Sequence, residues 1–198
     1  PRGHYFGGAR GKAKKMKKNS GKNILLGVSS SIAAYKACDL ITEFRERGHT
    51  VSVVMTKDAH HFVTKLTLQS FAGTEVIDDF FSVEGRLTPI HIELAKKADV
   101  LVVAPASADI IAKLAHGLAD DVLSCTALAS EAPLVIAPAM NEKMFMHPAT
   151  QENIKILKER GAVIVQPVRG HLVCMDQGMG HLAQEAAIMK AVQLALSR

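Results

Sequence analysis

Asn23 to Met55, NILLGVSSSIAAYKACDLITEFRERGHTVSVVM, is the stretch from which the fold can be read. An apolar run from Asn23 to Val28 ends in Ser29-Ser30-Ser31 and passes into a helical pattern reaching about Arg47, with Gly48 as its stop. Ile32, Tyr35, Ala37, Leu40, Ile41 and Phe44 supply the apolar face of that helix. Thr50 to Met55 then reads as a second strand. Strand, helix and strand in succession make a βαβ unit, which commits the two strands to a parallel sheet. The turn itself, Gly27-Val28-Ser29-Ser30-Ser31, is neither a GxGxxG fingerprint nor a P-loop, because no Gly-Lys-Ser/Thr follows. Backbone N–H groups at a helix N-terminus, flanked by hydroxyls, suit one phosphate. A serine-rich helix cap accounts for the same residues equally well.

The alternation continues downstream. A helix is expected over Ala59 to Gln69, a short strand or turn over Glu75 to Phe81, and a loop over 82–88. Adjacent His60 and His61 point in different directions and form no metal pair. Pro89 to Ala95 starts a helix in which His91 lies between apolar neighbours, as a core histidine or a catalyst. Asp99 to Ala104 is the next strand, followed by helices over Ile110 to His116, stopped by Gly117, and from Asp120 to about Ala129. In Leu134 to Met146, LVIAPAMNEKMFM, the strand breaks at Pro138 and Asn141 follows three residues later. A helix over Thr150 to Arg160, a strand over Ala162 to Gln166 and a closing helix from Ala183 to Leu196 complete the pattern. Between the last two, residues 168–181 (VRGHLVCMDQGMGH) read as a glycine-rich loop long enough to be a functional flap.

Strands alternating with helices predict an α/β protein, a three-layer doubly wound parallel sheet of Rossmann or flavodoxin type. Ligands of such sheets bind outside the carboxyl ends of the strands. The phrases VVAPAS and VIAPAM put small residues there, where a flat ligand can lie against backbone. Asn141 stands at that edge too. Its carboxamide donates and accepts hydrogen bonds, so it serves as a ligand contact or as a helix cap.

The 198 residues fit one domain, and their 48% hydrophobic and 22% charged content is ordinary for a globular chain. No apolar run is long enough for a membrane helix, and the basic N-terminus lacks the apolar stretch of a secretory signal. Cys38, Cys125 and Cys174 form neither a disulfide framework nor a metal-ligand pattern, which points to a reducing, cytoplasmic setting and no metal. Eight of the 24 basic residues fall within residues 1–22 and no acid does, leaving 16 basic against 19 acidic residues in the body. The expectation is a flexible basic leader over 1–21, in part an expression remnant with Met16 as a native start, and one folded domain over 22–198. Nucleic-acid binding is not expected, since nothing accompanies the basic tail that would read bases.

From about Lys22 to Leu182 the chain resembles the homo-oligomeric flavin-containing cysteine decarboxylases. The resemblance rests on Pro138-Ala139-Met140-Asn141 followed by Met144, on Ala104 to Ser124 (APASADIIAKLAHGLADDVLS), on GVSSSIAAYK, and on His91 in HIELAKKAD. It implies FMN as cofactor, with its phosphate at Ser29 and Ser30 in the turn opened by Gly27 and with Ser107 nearby. Thr56, Ala106, Ser124 and Met140 would lie along the flavin. His91 corresponds to the catalytic histidine and Asn141 to the residue that holds the substrate carboxylate, with Met144, Arg169 and Asp176 as further substrate contacts. Trimers, in some members assembled into dodecamers, are implied, with the site between subunits. The family chemistry oxidises the C–S end of a cysteine conjugate to a thioaldehyde, into which the electrons of departing CO2 flow, giving an ene-thiol.

Cys174 separates the branches of this family. In the coenzyme A branch, a flap cysteine is the acid that allows saturation of the ene-thiol, so 4'-phosphopantothenoylcysteine becomes 4'-phosphopantetheine. Relatives acting on a peptide's C-terminal cysteine release the ene-thiol. Here Cys174-Met175-Asp176 and Gly180-His181-Leu182 keep the cysteine and aspartate but depart from the usual Cys-Gly-Asp and Gly-Arg-Met, so Arg169 or His171 would have to replace the missing arginine. The coenzyme A reaction on a small phosphorylated cysteine conjugate is the favoured expectation, and peptidyl-cysteine decarboxylation is its rival. A non-catalytic flavin-binding regulatory subunit and a flavin prenyltransferase are the remaining alternatives; the PAMN and His91 phrases argue against the latter.

Overall fold

Strands buried on both faces of a parallel sheet need nearly continuous apolar runs, and four segments supply them. In a computed structural model that describes residues 21–81, 88–171 and 177–197, these become β1 (Asn23–Val28), β2 (Thr50–Met55), β4 (Val100–Ala106) and β5 (Leu134–Pro138). Two-residue edge strands, β3 (Val76–Ile77) and β6 (Val163–Ile164), complete one parallel sheet in the order β3-β2-β1-β4-β5-β6. The chain winds outward from β1 to β3, returns to place β4 beside β1, and winds outward again. That is the Rossmann order, and its reversal between β1 and β4 opens a crevice at their carboxyl ends.

Alternating side chains of β1 serve the two faces. Ile24, Leu26 and Val28 join the apolar cluster of α1 (Ala37–Glu46), α2 (Lys65–Ala72) and α8 (Glu185–Ala195). Leu25 joins the opposite cluster, formed with α3 (Ile90–Lys97), α4 (Ala108–His116), α5 (Val122–Ala129), α6 (Glu142–Met146) and α7 (Pro148–Glu159). On that second face Gly27 gives α5 its close approach. A Cβ at Gly27 would sit 2.5 Å from Leu123 Cδ1, and Leu123 is fully buried. Gly27→Ala is expected to cost about 1–3 kcal/mol by overpacking, read as a lowered midpoint in urea denaturation.

Several elements differ from the sequence expectation. Residues Ile32–Lys36 form a 3₁₀ turn rather than the start of the helix, and Ile32 and Tyr35 are each 57% exposed. Three residues per turn shift these side chains out of register with the α-helical face, so Ala33, Ala34, Ala37, Cys38, Leu40, Ile41 and Phe44 form the buried stripe instead. The helix expected over Ala59 to Gln69 divides into a 3₁₀ turn, Lys57–His61, and α2, where the Thr64 hydroxyl accepts from the Thr67 N–H and left-handed Gly73 ends the helix. The expected loop over 168–181 contains an antiparallel hairpin, β7 (Val168–His171) and β8 (Gln177–His181). Cys174 and Asp176 of that expected loop, residues 82–87 of the loop expected over 82–88, and residues 1–20 of the expected leader lie outside the described residues.

Lys113 ties α4 to the start of α5. Its Nζ lies 3.4 Å from Asp109, 3.1 Å from Asp120 and 3.1 Å from Asp121, and the side chain is 19% exposed. Asp121 in turn caps α5 through a reciprocal bond pair with Ser124. Burial alone would lower the Lys113 pKa, but hydrogen bonds to Asp120 and Asp121 and the charges of Asp121 and Asp109 raise it well above the usual lysine range. A raised folded-state pKa means that this stabilisation is complete below the unfolded lysine value of about 10.4. It is lost as pH rises from there through the folded value. Lys113→Met is expected to cost about 1.5–3 kcal/mol near pH 7 and to flatten the loss of stability above pH ~10.4, measured as denaturation midpoints across alkaline pH.

Candidate active site

A cleft of about 540 Å³ opens at the carboxyl ends of the strands beside the β1–β4 reversal, within the usual range for small-molecule sites. Ser30 and Ser31 enter it from the turn after β1, and Ser107 and Ala108 from the start of α4. Ala139, Met140, Asn141 and Met144 enter from the turn after β5 and from α6. Gly180, His181 and Leu182 close it from the hairpin side, with Ile32 and Phe62 as apolar walls.

Local structure explains the serine turn. Ser29 is 1% exposed; its hydroxyl donates to the Pro105 carbonyl at 2.8 Å and accepts the Ser107 N–H at 2.8 Å. With its one proton committed there, Ser29 joins the ends of β1 and β4 and leaves Ser30 and Ser107 to border the cleft. Ser31 donates to the Ala139 carbonyl at 3.1 Å and accepts the Ala33 N–H at 3.3 Å, drawing the turn after β5 against the turn after β1. Ser107 is the N-cap of α4, accepting the Ile110 N–H at 3.3 Å. The first N–H groups of that helix have no intrahelical acceptor, and they carry the positive end of the helix dipole.

Asn141 is a cap and borders the cleft as well. Its Oδ1 accepts the Lys143 N–H at 2.9 Å at the start of α6, and the residue is exposed. The capping alternative open from its sequence position is thus observed, at a residue that also lines the cleft. Neighbouring bonds bring the hairpin to this turn: the Met140 N–H donates to the Gly180 carbonyl at 3.0 Å, and the Met179 N–H donates to Glu142 Oε1 at 2.9 Å.

Other sequence candidates lie apart from this lining. His91, in the first turn of α3, is half-buried with its ring edge-on to Phe80, centroids 5.6 Å apart. Its Nδ1 is buried and has no hydrogen-bond partner among the described residues; the same holds for Thr56 Oγ1 just beyond β2. Buried polar atoms left unpaired are rare and call for a ligand or a catalytic role. Ala106 is fully buried and its carbonyl accepts the Ala139 N–H, while Ser124 is an interior capping residue of α5. Gly27 serves helix packing, as described above, and Arg169 is exposed on β7, outside the cleft lining. Sequence reasoning missed Ile32, Phe62 and His181 as cleft residues; the exposure of Ile32 follows from the 3₁₀ turn. Among the described residues no group of three or more His, Cys, Asp or Glu is placed to hold a metal, and no helix is long and apolar enough to cross a membrane.

Comparison with known proteins places the whole chain in a family. The chain is 46% identical over 165 residues to the coenzyme A biosynthesis bifunctional protein CoaBC of Vibrio vulnificus, covering 83% of this chain and 41% of that relative. It thus spans less than half the length of the curated relatives it matches. A PPC decarboxylase variant, cysteine replaced by serine, solved with pantothenoylaminoethenethiol, superposes with a TM-score of 0.82 at 35% identity, covering 90% of this chain and all of that one. The FMN-dependent cysteine decarboxylase SpaF gives a TM-score of 0.74 at 33% identity over 86% of this chain and 97% of its own. The flavoprotein family model matches residues 12–197. With a match over nearly the whole chain, and a crevice at the β1–β4 reversal edged by serines and Asn141, this chain belongs to the flavoprotein family.

Proposed function

We propose that this chain is a phosphopantothenoylcysteine decarboxylase, converting 4'-phosphopantothenoylcysteine to 4'-phosphopantetheine and CO2 with FMN as cofactor, in coenzyme A biosynthesis. The observation that carries this is the single cleft joining the α4 N-terminus and its serines to the Asn141 turn and the hairpin. The similarity to CoaBC and to PPC decarboxylase supports the substrate.

The residues present fit FMN. Ser30, Ser107 and the free N–H groups opening α4 suit its phosphate. Ala139 and Gly180 allow a flat ring to approach backbone, and the unpaired Thr56 Oγ1 just beyond β2 is a polar atom for which a ligand would provide a partner. When bound, FMN supplies the hydride acceptor that a cysteine-derived carboxylate needs before it can lose CO2. The chain then has to orient and to move protons. Asn141 holds the substrate carboxylate and neighbouring amide, with Met144 beside it. His91 holds or relays a proton near that carboxylate. Cys174 would supply the proton for saturation of the ene-thiol, the electron pair being the one the cofactor took up in the oxidation, and Asp176 and Arg169 meet the distal part of the substrate.

Assembly as a homo-oligomer, a trimer or a dodecamer, is part of this proposal. His91 does not line its own protomer's cleft, and Ile32, Phe62 and Met144 of that lining expose apolar surface. A reducing, cytoplasmic setting accords with the unpaired Cys38 and Cys125. Mass spectrometry of products from 4'-phosphopantothenoylcysteine and from a peptide ending in cysteine tests the function. Saturated 4'-phosphopantetheine is expected from the first, and little or no product from the second. Turnover of the peptide alone, to an ene-thiol, would assign the chain to the peptidyl branch.

A further inference from the structure

We propose that Glu142 is a positioning residue, holding β8 at the distance from Asn141 that the substrate requires; this rests on the decarboxylase assignment above. Glu142 is the first residue of α6, directly after the Asn141 cap. Its Oε1 accepts the Met179 N–H at 2.9 Å, and on the other side of Asn141 the Met140 N–H donates to the Gly180 carbonyl at 3.0 Å. The strand is therefore bonded to both neighbours of Asn141.

Close packing reinforces this clamp. A Cβ at Gly178 would lie 2.5 Å from Glu142 Oε2, and one at Gly180, whose φ is +146°, would overlap the Met140 carbonyl oxygen. Side chains on these two residues would push β8 away from the Asn141 turn, so glycine at both lets it seat there. Such seating matters because a two-stranded hairpin is marginally stable alone. β7 and β8 form a separate sheet, and none of the described residues in 168–181 belongs to either apolar core. Leu182 and Ala183, just after β8, are anchored in the core; within the hairpin itself, bonds to the body fix its position, and a carboxylate accepting a backbone N–H is among the stronger kinds. Immediately after the clamped residues come His181 and Leu182, which line the cleft with Gly180. Glu142 acts on substrate through that wall.

The test compares Glu142→Ala and Glu142→Gln in the full chain with FMN bound. The readouts are steady-state kinetics with 4'-phosphopantothenoylcysteine, flavin content, melting temperature, and hydrogen exchange of residues 177–181. Loss of a charge-assisted bond is expected to raise KM about tenfold or more and to speed exchange at the Met179 amide by a similar factor. Flavin content and melting temperature should hold, because the clamp lies outside the core. Glu142→Gln keeps a carbonyl acceptor for Met179 and should stay within about threefold of the parent, the difference between a charged and a neutral acceptor. Unchanged KM and exchange in Glu142→Ala would overturn the proposal. So would an effect confined to flavin loss or melting, or a glutamine variant as impaired as alanine. If the parent does not turn over this compound, the decarboxylase assignment fails, while the exchange comparison still decides the clamp.

Discussion

Replacing His91 with Asn is expected to leave flavin bound and to reduce CO2 release by about 100-fold or more, the usual contribution of a positioned proton-transfer group. The imidazole stands edge-on to Phe80 in the first turn of α3, with Nδ1 buried and unpaired among the described residues. A buried nitrogen with nothing to bond costs stability, about 1–3 kcal/mol, so a purely structural histidine here would be poorly chosen. Asparagine keeps a polar group of smaller volume but cannot take up a proton as imidazole does. The expected combination is an unshifted melting temperature, a retained flavin absorbance band and almost no CO2. Normal turnover would remove His91 from the chemistry, and loss of flavin would make it a cofactor contact instead.

For Asn141→Asp, the expected result is intact folding and flavin content with kcat/KM down by about 100-fold or more, in line with the 2–5 kcal/mol cost of spoiling a hydrogen-bonded charge contact. This substitution separates the two duties of the residue. Aspartate is as good an N-cap as asparagine, so the bond from the Lys143 N–H to Oδ1 survives. What changes is the face toward the cleft, where a second carboxylate repels the substrate's own and the amide donor is gone. Kinetics on the candidate substrate, with melting temperature as control, measure both. An active Asn141→Asp variant would leave capping as the only duty of Asn141.

The sheet was legible because its signals are local and mutually consistent. Apolar runs such as Leu101 to Ala104, stops such as Gly48 and Gly117, and strict alternation of element types all point to one winding. The crevice followed from that winding alone. Less was legible where glycine replaces pattern. β8 carries Gly178 and Gly180, so it shows no alternation of apolar and polar residues and reads as loop. Ile32 and Tyr35 fell on the helical period by coincidence, since a 3₁₀ turn carries them to the surface. The division of labour among the serines was not readable either. Ser29, Ser30 and Ser31 are identical in sequence, and only the positions of Pro105, Ser107 and Ala139 decide which hydroxyls are bonded internally.

The Ser29 hydroxyl bears on how a ligand would be received. One buried oxygen spans β1 and β4 at the point where the sheet reverses, taking the Ser107 N–H and giving its proton to Pro105. The two lips of the crevice are thereby locked together before anything enters it. An anion arriving at the start of α4 meets donors whose directions are already set by folding. Little further ordering of the chain is needed at that end, and the entropic cost of association falls mainly on the ligand itself.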